Sequence, residues 1–469
     1  MTEPTPHESI LINPATGHEF IRVPHRSIAD TNQIIAESVR AGARWRALSA
    51  AERGHLLARF ARAIAADREH LATLTVTEAG HPVTAARAEA DQVRDVFTYF
   101  AGAPERHLGT QIPVAGGTAI TFHEPLGVVG IIAPWNFPLP IAAWGVAPAL
   151  AAGNTVVLKP AELTPLGALR LEHLASEAGL PEGVFRVVTG SGALLGDHLA
   201  RHPDVDKIIF TGSTATGARV LAAAAEHIKP VTLELGGHNA SVVFSDANLA
   251  AAAAATPSGA LDNAGQDCCA RSRVYVQRPV FDRFVDLLIP AMDALRVGDP
   301  LDPHTQLGPL ISAAHRDRVA ALVTNDIPVV YRGRIPEGPG FWFPPTVVAP
   351  PPHHPILATE VFGPVLALLP FDTEDEVITR VNSTPYGLAG SIWTRDGARG
   401  LRTARAIRAG NLSINSQTAV RYQTPFGGMK HSGLGRELGP DALDAVTEVK
   451  TVFISHDGPH PSTQRNEES

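Results

Sequence analysis

An α/β protein of more than one domain is the fold class this sequence predicts, and three observations predict it. The chain has 469 residues, longer than one core ordinarily fills, so two or three domains are expected at roughly 150 residues each. Beyond residue 100, short apolar runs ending in turn residues alternate with helix-like stretches, the rhythm of a parallel sheet covered on both faces. A second region of the same rhythm follows Glu234 and gives a second α/β domain.

Before residue 100, apolar and charged side chains fall at helical spacing, as in Ala58-Arg59-Phe60-Ala61-Arg62-Ala63-Ile64 and again over 91–100. This part is expected to be mostly helical. Strands are expected at 127–132, 155–158, 184–188 and 207–210, with helices over 165–179 and 193–202. After Glu234 they are expected at 240–244, 273–276, 329–331 and 388–393. The Pro- and Gly-rich stretch 333–355 reads as ordered surface irregularity with no element of its own. The polar tail 456–469 is expected to be disordered.

Composition excludes several classes. With 44% hydrophobic residues the chain has enough apolar surface to fold, which argues against disorder. A net charge of −8 with no long basic run lacks the footprint of a nucleic-acid binder. The only two cysteines, Cys268 and Cys269, are adjacent, so neither a disulfide framework nor a cysteine-rich zinc site can form, and no metal is expected. A reducing compartment fits, and the start MTEPTPHESI lacks a basic patch followed by an apolar run, so a cytoplasmic location is expected. Residues 125–158 carry no charge and are long enough to span a bilayer. Five prolines interrupt them at roughly 3 kcal/mol each in a helix interior, so strand, loop and buried helix is the reading, with no membrane partner.

Candidate chemistry lies at strand ends. Gly190-Ser191-Gly192 with Gly196, and Phe210-Thr211-Gly212-Ser213 before a helix, fit pyrophosphate held on free backbone N–H groups; on glycine spacing alone, ordinary turns fit too. Lys159 and Glu162 follow a strand and suit ribose hydroxyls, or form a solvated pair. In Gly265-Gln266-Asp267-Cys268-Cys269 an extended backbone would turn one thiol to a cleft and the other to the core. Glu234 sits between Leu233 and Leu235, an apolar setting that raises a carboxyl toward the range of a general base, although a structural carboxylate fits equally.

Seven motifs then appear in order: Pro134-Trp135-Asn136-Phe137-Pro138, Lys159-Pro160-Ala161-Glu162, Phe210-Thr211-Gly212-Ser213, Leu233-Glu234-Leu235-Gly236-Gly237, Gly265-Gln266-Asp267-Cys268, Glu360-Val361-Phe362-Gly363-Pro364 and Pro425-Phe426-Gly427-Gly428. With them the chain resembles the aldehyde dehydrogenase superfamily along nearly its whole length. The resemblance implies oxidation of an aldehyde to its acid with NAD, or NADP, as cofactor. It makes Cys268 the nucleophile, Asn136 an oxyanion donor and Glu234 the general base. Trp135, Lys159, Glu162, Gly192, Gly212, Ser213, Glu360 and Phe362 would bind cofactor; Glu437 and Lys450 also match the pattern. The implied fold is a Rossmann-like cofactor-binding domain (1–105 and 124–235), an α/β catalytic domain (236–445) and a small β oligomerisation flap (106–123 and 446–455). A homodimer or homotetramer follows from exposed flap strands.

By the same resemblance the substrate tunnel includes Gln92, Phe137, Trp144, Asp262, Asp267, Thr418, Val420 and Phe426. Asp267 and Asp262 depart from the pattern: negative charge near Cys268 opposes a thiolate unless something compensates it. A cationic ω-aminoaldehyde would compensate. Arg421 instead suits an acid semialdehyde, and aromatic or aliphatic aldehydes remain open. Other classes are a thiol esterase, which needs no nicotinamide, and a non-catalytic structural protein, which needs neither Cys268 nor Glu234. Glu162 favours NAD, whereas Lys159 could tolerate a 2′-phosphate.

Overall fold

The computed structural model describes residues 8–456. The chain opens with a hairpin of β1 (Glu8–Ile12) and β2 (Glu19–Pro24), ahead of the helices that make the first hundred residues mostly helical. Two five- to six-residue strands around a turn at Gly17, φ 69°, are too short for a periodic pattern to register. The helices then follow: α1 (Ile28–Ala47), α2 (Ala50–Ala66), α3 (Arg68–Ala79) and α4 (Val83–Ala101). Ser27 with Asp30, and Ser49 with Glu52, form reciprocal capping boxes that start α1 and α2. The apolar stripes of α2 and α4 meet at Phe60 and Phe97, both fully buried, with ring centroids 4.5 Å apart.

Two strands, β3 (Gln111–Val114) and β4 (Gly117–Pro125), leave the body before the first large sheet begins. That sheet is built from β5 (Val128–Ile132), α5 (Pro138–Ala152), β6 (Thr155–Lys159), α6 (Leu166–Glu177), β7 (Phe185–Val187), α7 (Asp197–Arg201), β8 (Lys207–Thr211), α8 (Thr214–Ala225) and β9 (Val231–Glu234). The uncharged stretch is thus strand, loop, helix and strand. Every residue of α5 is buried, Pro138 and Pro140 fall in its first turn where N–H groups have no intrahelical partner, and Gly153 ends it at φ 98°. Among the described residues no helix is long and apolar enough to cross a membrane. The helix expected at 193–202 is shorter, because Gly192–Gly196 forms a wide π-type turn before α7.

The strand order β9-β8-β5-β6-β7 is parallel throughout. The chain moves outward from β5 to β7 and then returns to the other side of β5. Between the C-terminal ends of β5 and β8 lies the point where the order reverses, the crevice in which open α/β sheets bind ligands.

The second sheet contains β10 (Ala240–Val243), α9 (Leu249–Leu261), β11 (Arg273–Gln277), α10 (Phe281–Asp293), α11 (Ala313–Leu322), β12 (Val329–Arg332), β13 (Thr346–Val348), β14 (Val365–Phe371), α12 (Glu374–Asn382), β15 (Ala389–Trp393), α13 (Gly397–Ala406) and β16 (Asn411–Ile414). Its order is β12-β13-β14-β11-β10-β15-β16, antiparallel only between β12 and β13. β13 corrects the reading of 333–355 as lacking an element: three buried residues between Pro345 and Ala349 pair with β14. Finally β17 (Gly433–Leu434) adds antiparallel to β9 on the first sheet, and β18 (Thr447–Ser455) joins β4 and β3 in a three-stranded sheet. The segments expected to form a flap therefore pair as one sheet. His456 donates its backbone N–H to the Gly116 carbonyl at 3.0 Å; the rest of the expected disordered tail lies outside the described residues.

Replacing Phe97 by Ala should cost about 3–5 kcal/mol, because it removes the ring that fills the space between α2 and α4. A lowered urea midpoint with unchanged secondary structure is the expected outcome; an unchanged midpoint would contradict this packing.

Candidate active site

Cys268 stands on a turn rather than an extended segment, which corrects the expected backbone while keeping its consequence. Asn263, Ala264 and Gly265 take left-handed φ values of 48°, 54° and 70°. A Cβ on Gly265 would come within 2.1 Å of the Gly363 carbonyl oxygen, so only glycine fits there. The Ala270 N–H donates to the Asp267 carbonyl at 3.0 Å, and the Cys269 N–H donates to Asp267 Oδ1 at 2.8 Å. Asn239 Nδ2 donates to the Cys268 and Ala270 carbonyls at 2.7 and 3.0 Å. Cys268 is left half-buried and Cys269 buried in the core.

Asn136 arrives from the loop after β5. Its Nδ2 donates to the Gln266 carbonyl at 3.0 Å, and its own carbonyl accepts from Asn263 Nδ2 at 2.7 Å. Gln266 in turn accepts the Ile311 N–H on Oε1 at 2.9 Å. The oxyanion candidate and the thiol turn are thereby held by one network.

Two cavities meet at Cys268. The first, about 320 Å³, opens at the strand-order reversal and is lined by Trp135, Asn136, Gly212, Ser213, Glu234, Glu360 and Phe362 among others. The second, about 250 Å³, is lined by Gln92, Phe137, Trp144, Asp262, Asp267, Thr418 and Val420 together with both cysteines. Phe426 is the exception among the expected tunnel residues: it is buried behind Trp144, ring centroids 5.2 Å apart. Arg421 is exposed and Lys450 pairs with Glu124 on the three-stranded sheet, so neither joins these linings. His315 and Arg318 in the first cavity and Arg271 and Gln417 in the second were not anticipated; isolated basic or amide residues without a motif give no signal in sequence.

Lys159, Glu162 and Gly192 form a separate cluster beside the first cavity. Glu162 Oε1 accepts the Gly192 N–H at 2.7 Å, and a Cβ on Gly192 would stand 3.6 Å from Lys159 Nζ and 3.8 Å from Glu162. Burial pulls the Lys159 ammonium down to about 8 against the pull of Glu162. Ser213 caps α8, its Oγ accepting from Thr216 N at 3.3 Å. Glu360 Oε1 accepts the Gly237 N–H at 2.8 Å, and burial pushes its carboxyl up to about 7. Trp135 meets Phe362 edge-on at 5.5 Å, and His315 Nε2 lies 2.8 Å from the Phe362 carbonyl oxygen, which fixes a residue at φ 57°. A helix N-terminus, a ribose-sized pair of polar groups and a second carboxylate make a donor set that fits a dinucleotide.

Electrostatics at the thiol are unfavourable in this state. A hydrogen bond with the Cys269 thiol, then burial, then the charges of Cys269, Asp267 and Glu234 hold the Cys268 thiol well above its ordinary value. Glu234 is raised well above the usual carboxyl range by burial first and by Glu437 second, with Arg436 opposing. Neither of its oxygens has a hydrogen-bond partner among the described residues. Glu437, fastened by paired backbone bonds to Phe426, is pushed up to about 8 by burial, with Lys207 opposing. Asp262 is raised to about 6 by burial, then by Asp267 and Glu89, with His81 opposing. Asp267 is raised by burial, while its hydrogen bond to the Cys269 N–H, Arg271 and the Cys268 thiol lower it.

A half-buried thiol shared by the cleft at the strand-order reversal and a second cavity, with an unpaired carboxyl in the lining of the first, is an arrangement that fits an oxidoreductase. The model of the aldehyde dehydrogenase family matches residues 2–452, and the chain belongs to that family. It is 40% identical over 455 residues to betaine aldehyde dehydrogenase 2 of Rhizobium meliloti (strain 1021), covering 96% of this chain and 94% of that one. The crystal structure of PnpE, from Pseudomonas sp. WBC-3, in complex with nicotinamide adenine dinucleotide superposes at a TM-score of 0.94 with 39% identity, covering 98% of this chain and 96% of that one. An E. coli NADP-dependent enzyme superposes at 0.92 with 38% identity over 96% and 95% of the two chains.

Cys269→Ala should lower the Cys268 pKa, because it removes the first cause of its elevation. Alkylation of Cys268 by iodoacetamide should then be faster at pH 7 than in the parent, with its rate-pH profile displaced to lower pH. An identical profile would show that Cys269 does not restrain the Cys268 thiol.

Proposed function

We propose that the chain is a nicotinamide-dependent aldehyde dehydrogenase that oxidises a cationic, ω-amino-type aldehyde to its acid through a thioester on Cys268. The observation that carries this reading is the position of Cys268 in both cavities, with Glu234 and Asn136 on the cofactor side and Asp262 on the other.

Cys268, once deprotonated, adds through sulfur to the carbonyl carbon, and the oxygen becomes an oxyanion facing the Asn136 amide. Loss of such a donor commonly costs about 10²–10³ in rate. A bound nicotinamide would supply the hydride acceptor for that carbon. Cys268 is then a thioester. Glu234 as carboxylate takes a proton from water, whose oxygen attacks the thioester carbon; the C–S bond breaks, the acid leaves and the thiolate is regenerated. Lys159 and Glu162 would hold the adenosine ribose, Gly192, Gly212 and Ser213 the pyrophosphate region, and Glu360 with Trp135 and Phe362 the nicotinamide end. Glu162 beside a free ribose 2′-hydroxyl favours NAD, and Lys159 leaves NADP usable.

Asp267 counts less toward substrate charge than the sequence suggested, since it binds a backbone N–H and faces Arg271. Asp262, raised by burial first and then by Asp267 and Glu89, keeps the need for a cation, and the name of the Rhizobium relative points to a cationic aldehyde. Arg271 in the same lining is the feature that suits an acid semialdehyde instead.

The two large sheets with their helices are read as the cofactor-binding (1–105 and 124–235) and catalytic (236–445) domains, and 106–123 with 446–455 as an oligomerisation flap. Phe122, Val449, Val452, Phe453 and Ile454 lie exposed on that flap, which supports a homodimer or homotetramer; paired free thiols favour the cytoplasm.

Turnover of 4-aminobutanal, succinate semialdehyde, benzaldehyde and hexanal, each with NAD and with NADP, tests the substrate. The amine should give the highest kcat/KM with NAD, and Cys268→Ala should abolish nicotinamide reduction. Equal or better rates with the neutral aldehydes would refute the cationic reading. Glu437→Gln removes the like charge that raises Glu234, so Glu234 should ionise at lower pH. The acid limb of the thioester-hydrolysis rate should move to lower pH; no displacement would show the two carboxyls do not communicate.

A further inference from the structure

The root of the three-stranded sheet carries a cluster that neither cavity uses. His107 lies on the loop between α4 and β3, His123 on β4, and Asp444 on the turn that leads into β18. His107 Nε2 is 2.7 Å from Asp444 Oδ1, and His123 Nδ1 is 3.6 Å from the same oxygen. The two imidazole rings stand 4.0 Å apart, centroid to centroid. One ligand atom from each of the three residues lies within 4.8 Å of the other two. Both histidines are shielded, with side-chain exposures of 17% and 18%, whereas Asp444 remains 56% exposed.

A hydrogen bond accounts for the approach of His107 to Asp444. It does not account for His123, whose Nδ1 is buried without a hydrogen-bond partner among the described residues, an unfavourable state for a polar atom. Two imidazole nitrogens and one carboxylate oxygen are a donor set for a borderline transition metal, since magnesium and calcium take oxygen donors. We propose that His107, His123 and Asp444 bind one divalent transition-metal ion of the zinc type, pinning the three-stranded sheet to the body of the protein.

Tetrahedral bonds of about 2.0–2.2 Å place neighbouring donors roughly 3.3 Å apart, and the fourth position falls to water. The 3.6 Å separation at His123 is already close to this. The 2.7 Å separation at His107 has to open by roughly half an ångström, a movement within reach of an exposed aspartate. His107 Nε2 gives its lone pair to the metal and the ring proton resides on Nδ1. The absence of a cysteine-rich site in the sequence does not bear on this set, which uses no sulfur.

The thiol turn offers a competing group, Asp267, Cys268 and Cys269, whose ligand atoms also lie within 4.8 Å of one another. The test must separate the two. Co²⁺ is titrated into metal-stripped, full-length protein, with binding followed by equilibrium dialysis and visible absorption. One Co²⁺ should bind per chain with ligand-field bands and no thiolate charge-transfer band, and it should raise the melting temperature. Asp444→Asn and His123→Gln should each weaken binding about tenfold or more and remove the melting shift. Cys268→Ser should retain both. Asp444 is exposed, so Asp444→Asn carries the test if His123→Gln does not fold, and the metal-free melting curve checks each variant. No saturable binding, or binding lost in Cys268→Ser and kept in Asp444→Asn, would overturn the proposal.

Discussion

The hydrogen-bond network around the 263–271 turn is the constraint on which the rest of the site depends. A cysteine nucleophile needs a fixed sulfur, and this backbone cannot fix itself, because three successive residues sit in the left-handed region. It is held from several sides at once: Asn136 from the first sheet, Asn239 from the second, and from within by the Asp267 carboxylate and by Gln266, whose side chain accepts the Ile311 N–H. Every partner is a side-chain amide or carboxylate acting on backbone, so losing one would leave buried groups unpaired rather than merely remove a contact.

The same closure explains why the first sheet needs β17. Glu234 ends β9, and the antiparallel addition of Gly433 and Leu434 beside Glu234 and Leu233 brings the 426–437 segment over it. A Cβ on Gly427 would stand 2.8 Å from a Glu234 oxygen, so the covering backbone can approach only through glycine. That lid of backbone dries the carboxyl and, with Glu437 close by, raises its proton affinity. A carboxyl whose proton affinity is raised in this way is a stronger base once ionised than a free one, as a general base requires.

Much of this was legible in sequence, for identifiable reasons. Strand-to-turn punctuation located β5, β6, β8, β10, β11 and β15, because buried parallel strands read as apolar runs with abrupt ends. The hairpin at 8–24 and the three-residue β13 were too short or too proline-flanked to show a period. At the site, the motif residues Trp135, Asn136, Phe137, Gly212, Ser213, Glu234, Asp267, Cys268, Glu360 and Phe362 line the two cavities, while Lys159 and Glu162 cluster beside the first. Phe426 lines neither, since a motif fixes a residue's neighbourhood but not which layer of it faces the space. Arg271 and Gln417 were illegible because only the folded chain brings 258–271 and 417–420 to one wall.

Asp267 shows what geometry adds to a correct residue. In sequence its charge beside Cys268 demanded a countercharge, and a cationic substrate was one way to supply it. In the fold the demand is partly met inside the protein: the carboxylate holds the turn through the Cys269 N–H and is stabilised by Arg271. The unmet part passes to Asp262, which a short peptide link away has its own backbone N–H partner in Asn263 but lies between Asp267 and Glu89 in effect, with only His81 opposing them. His81 is itself bound by Glu89 at 2.6 Å, so its charge is already shared. The wall of the second cavity therefore carries more acid than base, and the residue that makes it so is the one six positions before Cys268 rather than the one beside it.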